Sequence, residues 1–125
     1  MATNPFVIRC EAATESLATA RREHVKAAIS ADRANREFKR VTVSCNRRIL
    51  AKLNNDVKLL GSNEAAQTRT LATLLADEPE YIAAEANALD AADAARILEA
   101  EVECHKDSVR FLLVAIPTYA VGDAE

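Results

Sequence analysis

Histidine and cysteine are the side chains best suited to chemistry in this sequence, and both are scarce. The histidines are His24 and His105, and the cysteines are Cys10, Cys45 and Cys104. No Cys-x-x-Cys pair occurs, and neither histidine has a glutamate three residues before it, as the di-iron helical bundles have. We therefore expect no metal and no cofactor. The histidines are interpreted as hydrogen-bonded seam residues that could tune assembly with pH, and the cysteines as reduced apolar residues.

Acidic residues recur between residues 85 and 107, and such carboxylates could indicate an all-α phosphohydrolase that uses divalent metal ions. Glu99 and Glu103 share a helix face, but no second acidic pair stands at a matching register. Gly61 stands alone, so there is no glycine-rich phosphate loop, and no serine or cysteine is marked as a nucleophile. We therefore predict a protein that is not an enzyme, in which the acidic residues form a solvated face or a partner for the basic stripe in the first half of the chain. The carboxylates are Glu85, Asp90, Asp93, Glu99, Glu101, Glu103 and Asp107.

Turn-forming residues are rare, which indicates a few long helices in an all-α fold. The 125 residues include two glycines, three prolines and 26 alanines, and this length suits a single helical domain over residues 1–125. No apolar run reaches the roughly 20 residues that span a bilayer. The first residues lack the basic and apolar regions of a secretory signal. We therefore expect a cytoplasmic protein.

A long basic helix is predicted from about residue 5 to residue 60. Asn4 is a suitable N-cap before Pro5, and Gly61 can close the helix in the left-handed conformation. Apolar residues recur with a mean spacing of about 3.6 from Leu17 to Leu60, the period of an α-helix. Residues 1–14 could instead form an extended arm.

Two more helices are predicted, over residues 64–76 and 78–116, followed by a tail over residues 117–125. Ser62 or Asn63 would cap the short helix, and Asp77 would cap the long acidic one, with Pro79 in its first turn. Pro117 would end the long acidic helix. Its seam follows a strict 3,4 spacing: Tyr81, Ala84, Ala88, Ala91, Ala95, Leu98, Val102, His105, Val109, Leu112 and Ile116.

The two long helices are expected to pair as an elongated antiparallel hairpin. Residues 1–60 hold twelve Lys and Arg against six Asp and Glu, whereas residues 61–125 hold four against thirteen. The opposite charges of the two helices support the pairing, and the packing of large side chains against alanines would determine it. With Leu60 placed opposite Pro79, Cys45 would meet Ala94 and Phe38 would lie near Val102.

A second apolar stripe on the acidic helix would stay uncovered in such a hairpin. Its members are predicted to mediate self-association, with a homodimer favoured, as a four-helix bundle or antiparallel coiled coil. The stripe consists of Ile82, Leu89, Ile97, Cys104 and Phe111. The leading functional hypothesis is a non-enzymatic structural or adaptor protein that acts through helix–helix contacts, with a further protein partner possible.

The basic helix offers an alternative function, because one of its faces could follow a nucleic-acid backbone. The same face carries Val25, Ile29 and Val43, which suits contact with the acidic helix of another protomer better. No aromatic residue interleaves with the cations to stack on bases. The candidate nucleic-acid-binding residues are Arg22, Lys26, Arg33, Arg36, Arg40 and Arg47.

The turn Leu60-Gly61-Ser62-Asn63-Glu64, followed by Gln67, Arg69 and an alanine- and glutamate-rich helix, resembles the turn of small helical-hairpin proteins of phages and mobile elements. The resemblance covers about 40 residues. It implies a small cytoplasmic coiled-coil protein and assigns no site.

Overall fold

The structure, a computed structural model, describes the backbone of residues 4–124 and the side chains of residues 4–115. The described residues form three α-helices and one 3₁₀ turn, and they contain no β-strand. The helices are α1 (Pro5–Lys52), α2 (Glu64–Ala76) and α3 (Pro79–Ala124), and the 3₁₀ turn is Val57–Leu60. The long helices α1 and α3 pack against each other, which confirms the all-α helical hairpin.

Helix α1 begins where the sequence predicts and ends eight residues earlier than predicted. The side chain of Asn4 accepts a hydrogen bond of 2.8 Å from the amide of Phe6, and Pro5 is the first helical residue. The helix closes at Lys52 because Asn54 and Asn55 adopt left-handed conformations, with φ of 54° and 59°. Asparagine tolerates this region, so a pair of asparagines does here what glycine was expected to do at residue 61.

Gly61 is not a left-handed helix terminator, so that prediction is wrong. Its φ of 164° and ψ of 168° are extended backbone at the end of the 3₁₀ turn. The side chain of Gln67 donates a 3.1 Å hydrogen bond to its carbonyl oxygen. A Cβ atom on Gly61 would lie 2.7 Å from the Cβ of Ala66, so glycine is needed here for close approach to α2.

The bounds of α2 are those predicted. Asn63 is the N-cap, and its side chain accepts a 2.8 Å hydrogen bond from the amide of Ala66. Asp77 is the C-cap of α2, which corrects the prediction that it caps the long acidic helix. Helix α3 begins at Pro79, where the missing amide proton of proline costs no helical hydrogen bond.

Pro117 does not end α3, and the expected tail over residues 117–125 is helical as far as Ala124. A proline inside a helix removes the bond that its own amide would make and crowds the preceding turn. Its fixed φ is nevertheless helical, so the backbone can continue beyond it. Ile116, the last predicted seam residue, lies outside the residues whose side chains are described.

The contacts of the chain divide into two units. The turn unit is residues 29–92, and the terminal unit is residues 1–28 together with residues 93–125. Helices α1 and α3 each contribute a segment to both units.

The core of the turn unit joins three helices. Val41, Cys45 and Ile49 of α1 are buried together with Leu75 of α2, and Cys45 is fully buried. Leu71, Tyr81 and Ala84 pack against this cluster. Helix α2 thus covers the inner face of α1 near the point where the chain reverses.

The predicted register between the long helices is wrong. Cys45 belongs to the cluster that contains Tyr81 and Ala84 rather than facing Ala94. The ring of Phe38 lies 5.2 Å from that of Tyr81, measured between centroids, rather than near Val102. Because α1 ends at Lys52 and α2 is inserted against it, α3 begins opposite an earlier part of α1 than expected.

The terminal unit has a smaller core, in which Leu17 and Ala20 of α1 are buried against Val102 of α3, with Val109 packed beside them. The predicted seam of α3 is confirmed in both units. Each seam residue from Tyr81 to Leu112 is buried or half-buried, while nearly all of the intervening residues are exposed.

Candidate interaction surfaces

The histidines lie where the seam pattern places them, half-buried in the terminal unit. His105 lines an open groove of about 500 Å³ with Glu101 of α3 and, from α1, Glu15 and Glu23. Among the described side chains, His105 makes no hydrogen bond. No three His, Cys, Asp or Glu side chains of the described residues are grouped so as to hold a metal ion.

The cysteines are free and differ in exposure. Cys10 is half-buried, Cys45 is buried and Cys104 is exposed. The guanidinium of Arg48 donates a 3.1 Å hydrogen bond to the Sγ of Cys45 and lies 3.2 Å from the carboxylate of Glu80. The bond to Cys45, followed by the charge of Glu80, raises the pKa of Arg48. Arg48 therefore joins α1 to the first turn of α3 and keeps its charge at every physiological pH.

The carboxylates between residues 85 and 107 are all exposed. Three of them pair with a cation three residues further along α3, namely Asp93 with Arg96, Glu103 with Lys106 and Asp107 with Arg110. Exposed pairs of this kind stabilise a helix only slightly. These contacts agree with the interpretation of the acidic residues as a solvated face.

The six candidate nucleic-acid-binding residues are exposed on α1. Half of them already form an ion pair or hydrogen bond with an acidic side chain of the same helix. Lys26 pairs with Glu23 at 3.5 Å, and Arg36 pairs with Asp32 at 2.8 Å. The Nε of Arg40 donates a 2.9 Å hydrogen bond to Glu37.

The bond from Arg40 lowers the pKa of Glu37. Of the other three candidates, Arg22 donates a hydrogen bond to the hydroxyl of Thr19. Arg33 and Arg47 form no ion pair with any described residue. The free positive charge of this face is thus smaller than its composition suggests.

The second apolar stripe of α3 is exposed in both units, as predicted. In the turn unit, Ile82 and Leu89 are 52% and 58% exposed. In the terminal unit, Ile97 and Phe111 are 62% and 73% exposed, and Cys104 is exposed as well. These side chains are large and apolar, and neither α1 nor α2 covers them. Exposed apolar surface of this kind is typical of sites of protein–protein contact.

A groove of about 470 Å³ borders this stripe in the turn unit. Its walls come from α1 and α3, and Leu89 stands on the α3 side. Alanines form much of the lining, which leaves room between the helices for side chains of another helix. The residues that line it are Ala31, Asn35, Phe38, Glu85, Ala88, Leu89 and Ala92.

Tyr81 connects the core of the turn unit to this groove. Its ring packs on Phe38, and Glu85 lies one turn further along α3. Burial, followed by the hydrogen bond with Glu85, raises the pKa of the Tyr81 phenol above its ordinary value of 10.0.

The raised pKa of Tyr81 predicts a loss of stability in alkali. The folded protein holds the phenolic proton more tightly than the unfolded chain, so this contribution is full below the ordinary pKa and is lost as pH rises through the raised value. Absorbance titration of a Tyr119→Phe variant, in which Tyr81 is the remaining tyrosine, should show the late ionisation. Adding Glu85→Gln should move the transition towards lower pH, and an unchanged midpoint would contradict the role given to Glu85.

Comparison with protein-family models, with curated proteins and with solved structures finds no match. The resemblance of the turn at residues 60–64 to helical-hairpin proteins of phages and mobile elements therefore stays a prediction. Among the described residues, no helix is long and apolar enough to cross a membrane.

Proposed function

We propose that this chain is a non-enzymatic structural or adaptor protein that acts by self-association through its helices. The observation that carries the proposal is the exposed apolar stripe of α3, whose large members are each more than half exposed. Covering such side chains removes apolar surface from water, at about 25 cal/mol per Å². A second copy of the chain is an available partner, and a further protein partner could use the same stripe.

Nucleic-acid binding by the basic face of α1 is the second candidate and has less support. Arg22, Arg33 and Arg47 are exposed and could reach phosphates, but three of the six cations are paired with acids on the same helix. Exposed Ile29 and Val43 interrupt the face with apolar surface that binding to a phosphate backbone does not need.

We place the protein in the cytoplasm, where its three free thiols would stay reduced.

Sedimentation of the purified protein tests the proposal. We expect association at micromolar concentration, with a homodimer as the smallest assembly. Leu89→Gln combined with Ile97→Gln should weaken association by about tenfold or more, since buried apolar anchors at an interface are each worth over 1 kcal/mol.

The matched control is Ile8→Gln, which makes the same change at a 50% exposed isoleucine of α1 outside the stripe. This variant should associate like the unmodified chain. A monomer at these concentrations would refute self-association, and equal association of all variants would refute the assignment of the stripe.

A further inference from the structure

We propose that the outer face of α1 in the turn unit binds the outer face of α3 in the turn unit of a second copy, so that copies join head to tail. This inference rests on the proposed self-association and names the two surfaces that would carry it. The α1 surface of one copy would bind the α3 surface of another copy of the same chain.

The α1 surface is a line of residues at alternating spacings of four and three. Apolar side chains, Ile29 and Val43, stand within a row of arginines and are 48% and 49% exposed. The alternating spacing keeps the whole line on one side of the helix, as in the seam of a coiled coil. The line, called here the basic line, consists of Ile29, Arg33, Arg36, Arg40, Val43 and Arg47.

The α3 surface is shorter and carries the opposite charge. Ile82, Glu85 and Leu89 are exposed at spacings of three and four, and Asp90 is exposed beside Leu89. We call these four residues the acidic line. Two helices that meet along these lines would bury apolar side chains while arginines face carboxylates, which gives both attraction and register.

The charges needed for this contact are available. Arg33 and Arg47 form no ion pair with a described residue, and neither do Glu85 and Asp90. Arg36 and Arg40 are held by Asp32 and Glu37 on their own helix. Arg47, Glu85 and Asp90 have no oppositely charged residue three or four positions away on their own helix. Glu37 lies four positions after Arg33, but it is already bonded to Arg40.

The positions of the two lines decide how copies would join. The basic line lies on the side of α1 away from Val41, Cys45 and Ile49, which face the core. On α3, Ile82 and Leu89 likewise lie away from Tyr81 and Ala84, which pack on that core.

One copy therefore presents its two lines in different directions, and a single partner cannot satisfy both. Contacts between unlike surfaces continue from copy to copy until a ring closes or a filament grows. This geometry predicts a series of oligomers above the dimer.

Charge reversal of each line, followed by mixing, tests the contact. The first variant carries Arg33→Glu and Arg47→Glu, and the second carries Glu85→Lys and Asp90→Lys. Alone, each should associate at least about tenfold more weakly than the unmodified chain, because like charges would then face each other. Mixed in equal amounts, each line meets its complement again, so sedimentation should show assemblies that contain both variants.

The control is Lys39→Glu with Lys52→Glu, the same change of charge on α1 outside the basic line, and it should associate normally. If the unmodified chain is a monomer, the proposed function fails together with this inference. If the unmodified chain associates and the reversed variants match it, only this inference is overturned.

Two further outcomes would also count against the inference. One is a strict dimer that does not grow with concentration, because the geometry requires larger assemblies. The other is binding of a 30-nucleotide single-stranded DNA that is lost with Arg33→Glu and Arg47→Glu while self-association stays unchanged. That result would assign the arginines to nucleic acid.

Discussion

Leu75→Ala should lower the free energy of unfolding by about 2–4 kcal/mol, the usual cost of truncating a buried leucine. Leu75 is 8% exposed and is the buried residue through which α2 joins Val41, Cys45 and Ile49 of α1. Its truncation would leave a cavity among three helices. We therefore expect α2 to loosen and the thermal midpoint to fall.

Leu74→Ala is the matched control, because it removes the same atoms from the neighbouring leucine, which is 37% exposed. Its cost should be about 1 kcal/mol or less, in line with partial burial. Urea titration of both variants at one protein concentration makes the comparison, since self-association would itself add to apparent stability. Equal costs for the two variants would show that α2 does not pack as described.

Gly61→Ala should cost about 1–3 kcal/mol through overpacking. The added methyl group would lie 2.7 Å from the Cβ of Ala66 and 3.0 Å from its carbonyl carbon. One of these neighbours is backbone in the first turn of α2, so relief requires α2 to move away from the 3₁₀ turn. Such a movement would also strain the bond that Gln67 donates to the Gly61 carbonyl.

Ser62→Ala is the corresponding control, since Ser62 is exposed and precedes the N-cap. Its effect should stay within about 0.5 kcal/mol, as for most surface substitutions. The decisive measurement is the difference in unfolding free energy between the two variants. A Gly61→Ala protein as stable as its Ser62→Ala counterpart would mean that the approach of α2 is not tight.

Local signals in the sequence were sufficient for the number and order of the α-helices, for the bounds of α2 and for the seam of α3. The strict 3,4 spacing from Tyr81 to Leu112 locates the inner face, because a helix can bury only one side against a single neighbour. The caps at Asn4 and Asn63 follow from side chains that bond nearby amides. These features depend on residues close in sequence.

The register of the hairpin could not be predicted in the same way. It depends on where α1 ends, and Asn54-Asn55 was a weaker signal than Gly61 because asparagine adopts left-handed conformations less readily than glycine. It also depends on α2 docking on Cys45 and Ile49, a contact between distant segments. Because small alanine side chains pack nearly equally well in several registers, the pattern of apolar residues does not distinguish the observed register from the predicted one.

The candidate surfaces were predictable as faces, but their free charges were not. Periodicity alone predicts that Ile82, Leu89, Ile97, Cys104 and Phe111 share a side of α3 and that the arginines share a side of α1. Which arginines remain available depends on side-chain positions. Arg36 and Arg40 turn towards acids on their own helix, whereas Arg33 and Arg47 do not.

The asparagine turn after α1 is a place where the chain could be cut into two fragments. Asn54, Asn55 and Asp56 are exposed, and the core of the turn unit is assembled from side chains on both sides of them. A cut between Asn54 and Asn55 would leave Val41, Cys45 and Ile49 on one fragment and Leu75 and Tyr81 on the other. The two pieces could then serve as a split reporter whose halves recognise each other through the same buried surface.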